Sequence, residues 1–316
     1  MTAPRLRVVP ETVDTQNLGA LVWYTIQLAA TATRDELRDA VRTAGLPEAL
    51  LPKPIPVSDA LRRAVKDLGT IPDEKNDRDE VVRLLIREAP TVDKDHLTYR
   101  LVRETGEAGR KNLAYRELAS IDLDKRTGSL VVTHLALELT PGEDAVLDKL
   151  GAQYRFDREH YDSEMVRHIA RGALKGTDPI TVRPSGGIYF IGQAHLSRVE
   201  QVRTFLRQFT VGTRLYSVPV LNEVDNRTMV SDHVEEQVKV ESVRVVEDLK
   251  KLLQAERRSE VQVQGALRSL RGLAEMTERY EDLLQTRIDG ARAVLGAAQT
   301  QARALLDRLV SGDSQG

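Results

Sequence analysis

The sequence predicts an α+β fold: an antiparallel β-meander sheet with covering helices, followed by a long C-terminal helical, coiled-coil arm. Three observations predict it. Between residues 80 and 139 apolar side chains recur at every second position, in four runs parted by turn-forming residues. Helical periodicity brackets those runs on both sides. From Thr228 onward there is no proline, and one apolar stripe continues to the end of the chain.

Before the meander, Leu18 to Leu28 (LGALVWYTIQL) is rich in β-branched and aromatic residues and reads as a buried strand. Thr33 and Glu36 have capping-box spacing, and Leu37, Ala40, Val41 and Ala44 repeat at helical intervals until Gly45 stops them. The prolines at 47, 52, 54 and 56 force an extended connection. Ser58 is then placed to cap a helix carrying Leu61, Ala64, Val65 and Leu68, and a polar link runs from Pro72 to Asp79. The meander strands are Glu80 to Glu88, His96 to Glu104, Leu113 to Asp124 and Leu130 to Leu139, with GEAG (106–109) and DKRTG (124–128) as turns.

Pro141 suits a first helical turn, and helical spacing runs from there with an interruption near Gly151 and a resumption from Arg158 to Leu174. A strand Gly187 to Ile191, a helix carrying Leu196, Val199, Val202, Leu206 and Phe209, and a strand Leu215 to Leu221 complete the head. Runs of strands followed by mixed elements argue against a doubly wound nucleotide-binding sheet. The expected domains are residues 1–70, joined to the head, residues 71–226 as the α+β head, residues 227–312 as the coiled-coil region, and residues 313–316 as a disordered tail.

Within the arm, Val234, Val238, Val245, Leu249, Leu252 and Leu253, then Val263, Leu267, Leu270 and Leu273, form a broad stripe. Tyr280, Leu284, Ile288, Ala291, Leu295, Ala298, Ala302, Leu305 and Leu309 follow at spacings of three and four, a heptad-like seam that reads as the oligomerisation surface. About 80 residues at 1.5 Å each would span roughly 120 Å, so the arm must leave the head or fold back. Gly265, Gly272, Gly290 and Gly296 are all natural places for bending or close helix approach, with a flex expected near Gly265 or Gly272. Packing of the stripe on its own domain is the competing reading.

Composition bounds the chemistry. Charged residues make up 30% of 316, yet the net charge is −2, so nucleic acid would have to meet a local patch. The chain has no cysteine, which excludes disulfides, thiolate nucleophiles and thiolate metal sites. It carries no run of apolar residues long enough to span a membrane and no visible secretory leader, so the expectation is a cytoplasmic protein with no membrane partner.

No catalytic or cofactor-binding residue is assigned. The elbow, zincin, kinase and dinucleotide signatures do not occur, and RPSGG (183–187) leads into a strand where a phosphate loop would open a helix. Asp157, Glu159, Asp162 and Glu164 read as a solvated helix face. On one helix His160, Glu164 and His168 would point the same way, as metal ligands do, which keeps a metal-dependent enzyme as a reserve reading. Arg167, Arg171, Lys175 and Arg183 could form a basic patch for a phosphate backbone, with Tyr154, Phe156, Tyr189 and Phe190 as nearby aromatics in sequence. Alternation lets only one of Tyr189 and Phe190 be exposed.

Four segments carry a resemblance: LVWYTI, LPKPIPVSDALRRA, RPSGGIYFI and the helix from Tyr280 to Leu284. Together they make the chain similar to an uncharacterised protein family of actinobacterial genomes and their phages, with no activity or functional residues to carry over. The resemblance implies a phage or mobile-element setting. The leading expectation is a non-enzymatic structural protein, a homo-oligomer assembled through its C-terminal helices; the alternative is a nucleic-acid-binding module.

Overall fold

The computed structural model describes residues 17–69, 71–72, 80–91, 93–107, 113–183, 187–254 and 260–312. In chain order the elements are β1 (Asn17–Thr25), β2 (Ala32–Thr33), α1 (Arg34–Thr43), α2 (Val57–Leu68), β3 (Ile71–Pro72), β4 (Glu80–Ala89), β5 (His96–Glu107), β6 (Leu113–Asp124) and β7 (Leu130–His134). There follow α3 (Pro141–Glu159), β8 (His160–Tyr161), α4 (Ser163–Lys175), β9 (Ile180–Arg183), β10 (Ile188–Gly192), α5 (Leu196–Leu206), β11 (Arg214–Leu221), α6 (Val224–Gln254), α7 (Glu260–Leu284) and α8 (Asp289–Gly312).

The chain divides into two compact units. One is built from residues 17–30, 40–50 and 166–312, the other from 31–39 and 51–165. The expected boundaries near 70 and 226 therefore do not hold. The reason is strand pairing: β1 is hydrogen-bonded to β10 on one side and β11 on the other, which ties the N-terminal strand to the second half of the chain.

The second unit is the meander. Strands β3 to β7 lie in sequential antiparallel order; the alternation predicts β4 to β7, except that the last run ends at His134 and not at Leu139, whereas β3 is a short strand that takes in Pro72 of the expected link. Of the GEAG turn, Gly106 and Glu107 continue β5, and residues 108–109 lie outside the described residues, as do residues 73–79 of the polar link. Helices α2 and α3 cover one face, packing Leu61, Ala64, Leu147, Leu150 and Tyr154 against Leu101, Ile121 and Leu123. Thr33 and Glu36 do form the capping box that opens α1. Ser58 does not cap α2: the extended Pro56 holds the N-cap position and Ser58 lies inside the first turn. A second capping box, Thr140 with Glu143, opens α3 with Pro141 in the first turn. Glu143 is fully buried, and Arg103 of β5 neutralises it through a bond from Nε to Oε1 at 2.8 Å. A buried carboxylate persists only when its charge and lone pairs are met in this way.

Helix α3 runs unbroken through Gly151, so the interruption read there is absent. It comes instead at His160–Asp162, where His160 and Tyr161 pair with Thr33 and Ala32. Asp157 does not belong to a solvated face either, since its side chain is buried with Oδ1 taking a bond from Gln153 and Oδ2 without a partner among the described residues.

The first unit is a three-layer arrangement around a four-stranded sheet of order β11-β1-β10-β9. Leu18, Leu21, Phe190, Ile180 and Val220 face a core shared with Val230, Val234 and Val238 of α6 and Met276, Tyr280 and Leu284 of α7. On the other face, where Val22 is fully buried, α5 crosses β1 and β11, and Arg203 of α5 donates to Ser217 Oγ at 2.5 Å. Gly19 is needed where strands meet: an added Cβ would stand 2.1 Å from the carbonyl oxygen of Ile191. The outer edge of β9 is sealed by side chains of α6. Gln237 accepts from the Thr181 N–H at 2.9 Å, and the His233 ring lies between two carbonyls, 2.7 Å from Met229 O and 2.9 Å from Val182 O.

The C-terminal helices form no continuous coiled-coil arm. They are three separate helices, and α6 packs along both α7 and α8. Helix α7 passes through Gly265 and Gly272 without flexure, so neither is a break; α6 ends at Gln254 and α7 begins at Glu260, and α7 and α8 are parted at Gln285–Ile288. That break is made by Glu281. Its Oε1 accepts the Ile288 N–H at 2.8 Å and Arg292 Nε at 2.8 Å, while Gln285 takes a positive φ of 52°. Gly290 is a place of close approach, lying against the Glu235 carboxylate of α6.

Both cores can be tested by substitution. Leu284, 1% exposed, is interior to the chain's own bundle, so Leu284→Ala costs about 2–5 kcal/mol of stability; thermal melts should show that loss to the same extent at every protein concentration. Burial holds the Asp157 carboxyl above the usual range, with Asp67 and Asp162 adding to the effect against Gln153 and Arg63. The folded chain therefore binds that proton more tightly than the unfolded chain, and stability is lost as pH rises through the raised value. Asp157→Asn should raise the melting temperature at pH 7, with a gain that shrinks as the pH falls through the raised value and is lost once the pH is below the ordinary aspartate range.

Candidate functional site

The seam expected to join copies is interior. Tyr280, Leu284, Ile288, Ala291, Leu295, Ala298 and Ala302 are all buried, at most 6% exposed, against α6 and the sheet. Leu305 packs half-buried on the lower bundle core, and the side chain of Leu309 lies outside the described residues. Heptad-like spacing and a folded-back pair of helices demand the same apolar periodicity, and here the second arrangement uses it.

The metal candidates are split. His160 ends α3 and stands in β8, with its ring stacked on Phe156 at 4.1 Å and Nδ1 3.0 Å from the Phe156 carbonyl oxygen; Glu164 and His168 belong to the next helix. The intervening break removes the single helix face on which their alignment depended. Among the described residues no group of three histidines and carboxylates is arranged to hold a metal ion.

The basic candidates fare differently. Arg167 and Arg171 lie one turn apart on α4, and the Arg171 guanidinium donates to the hydroxyl of Tyr24 on β1. Burial lifts the Tyr24 phenol above its ordinary value, and that hydrogen bond and the nearby charge of Arg167 oppose the rise. Tyr189 is close enough to Tyr24 to act on it electrostatically. Register explains why: Tyr189 is opposite Val22, so Tyr24, two residues further on, shares its sheet face. Phe190 points the other way and is fully buried in the bundle core. Two half-buried tyrosines and two arginines are thus assembled from three elements.

Lys175 is not part of this cluster. It lines a separate cleft of mixed charge with Glu241, Asp248, Glu275, Arg244 and Arg279. Arg183 is exposed at the end of β9, opposite Ile188 of β10; Pro184, Ser185 and Gly186 of the RPSGG loop lie outside the described residues. Tyr154 and Phe156 belong to the second unit, where Tyr154 is buried with its hydroxyl donating to Gly128 O at 2.9 Å.

Two features of this region escape a search for motifs. Tyr24 reads in sequence as strand material alone, though it completes the tyrosine and arginine cluster. Residues 166–222 carry eight arginines and lysines against two carboxylates, Asp178 and Glu200. A charge count over windows marks this stretch, whereas the total of −2 hides it. Among the described residues no carboxylate pairs with Arg171, Arg183 or Arg214.

Among the described residues no helix is long and apolar enough to cross a membrane. No curated protein and no solved structure matches the chain. A family model does match it, over residues 17–311, and the chain belongs to that family of unknown function, DUF6744.

Proposed function

We propose that the first unit is a nucleic-acid-binding module whose contact surface includes Arg167 and Arg171 of α4 with Tyr24 and Tyr189 of the sheet. The observation that carries this reading is the convergence of those four side chains, three of which, Arg167, Arg171 and Tyr189, lie in the stretch where cations outnumber carboxylates eight to two. Phosphate oxygens are met by guanidinium forks, and tyrosines beside them contribute hydroxyl donors and ring surface. Arg183 adds an exposed cation at the end of the neighbouring strand. The phage or mobile-element setting implied by the resemblance would suit such a module. Electrostatic retention predicts binding that weakens linearly in log affinity with log salt. Replacing Arg171 and Arg183 with alanine should weaken binding and lower that slope by about one for each phosphate no longer neutralised. Fluorescence anisotropy with a labelled oligonucleotide over a salt series measures it, and no binding by the full chain even at low salt would end this reading.

A second reading, a protein contact made by the meander, rests on its last strand. Val131 and Leu135 are about half exposed, Leu137 is fully exposed, and β7 has no strand on its outer side among the described residues. This keeps an assembly role for the chain, moved from the helices to a sheet edge. If it holds, the full-length protein sediments as an oligomer at micromolar concentration and Val131→Lys returns it to a monomer; a monomeric wild type removes the reading.

A further inference from the structure

On the opposite face of the same sheet end, Trp23 of β1 and Tyr216 of β11 are register partners. Their rings stack with centroids 5.5 Å apart and planes 15° from parallel. Trp23 is half-buried, and neither ring belongs to the bundle core, which takes Leu18, Leu21, Phe190 and Val220 from the sheet. Tyr216 is 40% exposed and Val218, beside it on that face, 47%. Arg214, two residues from Tyr216 and hence on the same face, is exposed at the end of the row. This is an open, flat aromatic surface with a guanidinium at its rim, and it holds the chain's one tryptophan.

Resting on the nucleic-acid reading above, we infer that the Trp23–Tyr216 pair is a base-stacking platform and that the preferred ligand is a single strand with unpaired bases. Complementarity favours that ligand over a duplex. The exposed guanidiniums of Arg214 and Arg183, neither paired with a carboxylate among the described residues, call for an anionic ligand. A duplex meets that charge with phosphates alone and keeps its bases stacked inside, out of reach of a protein ring. A single strand offers phosphates and free π faces together, and each base placed on an aromatic side chain gains affinity with little regard to sequence. Arg214 is positioned to take the phosphate next to a base resting on Tyr216, while Arg183, paired with Ile188 at the other side of the row, adds a second cation. Stacking also supplies what the exposed ring surface lacks, an apolar cover that does not displace the bundle.

Because Trp23 is the only tryptophan, its emission reports the platform directly in the full-length protein. The probes are a thymidine oligomer and a mixed-sequence duplex of equal length, titrated at low salt. The expected result is quenching of the Trp23 emission by the single strand and little change with the duplex. Tyr216→Ala should weaken single-strand binding about tenfold and duplex binding far less, and Tyr216→Phe, which keeps the ring, should restore it. Equal binding of both probes by anisotropy, with unquenched emission and no effect of Tyr216→Ala, would overturn the platform while leaving the binding module standing. Failure of both probes to bind would overturn the platform and the module together. Quenching by self-association alone, seen on raising protein concentration without any oligonucleotide, would identify a second copy as the occupant and overturn the inference as well.

Discussion

The carboxylate of Glu281 decides the shape of the C-terminal third. It is buried, receives the Ile288 N–H and the Arg292 guanidinium, and is held below the ordinary carboxylate range mainly by its bond with Arg292. That one side chain stands in for the helical partners that α7 gives up at Gln285 to Ile288 and starts α8 in a new direction. Everything downstream depends on the reversal. Without it, the apolar residues from Tyr280 to Ala302 would face outward along a single rod; with it they close over α6 and one face of the sheet, and the same packing carries Phe190 and Leu18. A neighbouring tie, the Tyr280 hydroxyl donating to Asp178 O at 2.7 Å, fixes α7 to the connection between α4 and β9.

Much of the fold was legible because alternation and helical spacing are local signals. The three long meander strands, the capping box at Thr33 and Glu36, and the first-turn proline of α3 all stand where those signals put them. The failures share a cause. The break after Leu284 contains no glycine or proline, only Gln285, Thr286, Arg287 and Ile288, and it is made by a side chain four residues upstream of Gln285 and by Arg292 beyond it. Gly265 and Gly272, which read as weak points, sit within α7 with open space around them. The pairing of β1 with β10 and β11 joins segments too distant for any local pattern to announce.

The candidate site was half visible for the same reason. Arg167 and Arg171 share a helix face, which spacing alone shows. Their meeting with Tyr24 needs the sheet register, which spacing does not show. Trp23 and Tyr24 sit side by side in sequence yet on opposite faces, so the sheet end carries aromatic rings both above and below. Of these rings only Tyr216 is exposed; Trp23, Tyr24 and Tyr189 are half-buried.

The seal on β9 has a consequence for the making of the protein. Thr181 N–H is satisfied by Gln237, 56 residues further along the chain, and the Val182 carbonyl by His233, 51 residues along. At a synthesis rate of about 5–20 residues per second, the partner helix emerges roughly 3 to 11 seconds after the strand it protects. During that interval the hairpin of β9 and β10 has an open flank, the part of a nascent sheet most prone to join a neighbouring chain. The late arrival of α6 therefore times the moment at which this chain becomes safe from its own copies on a crowded polysome.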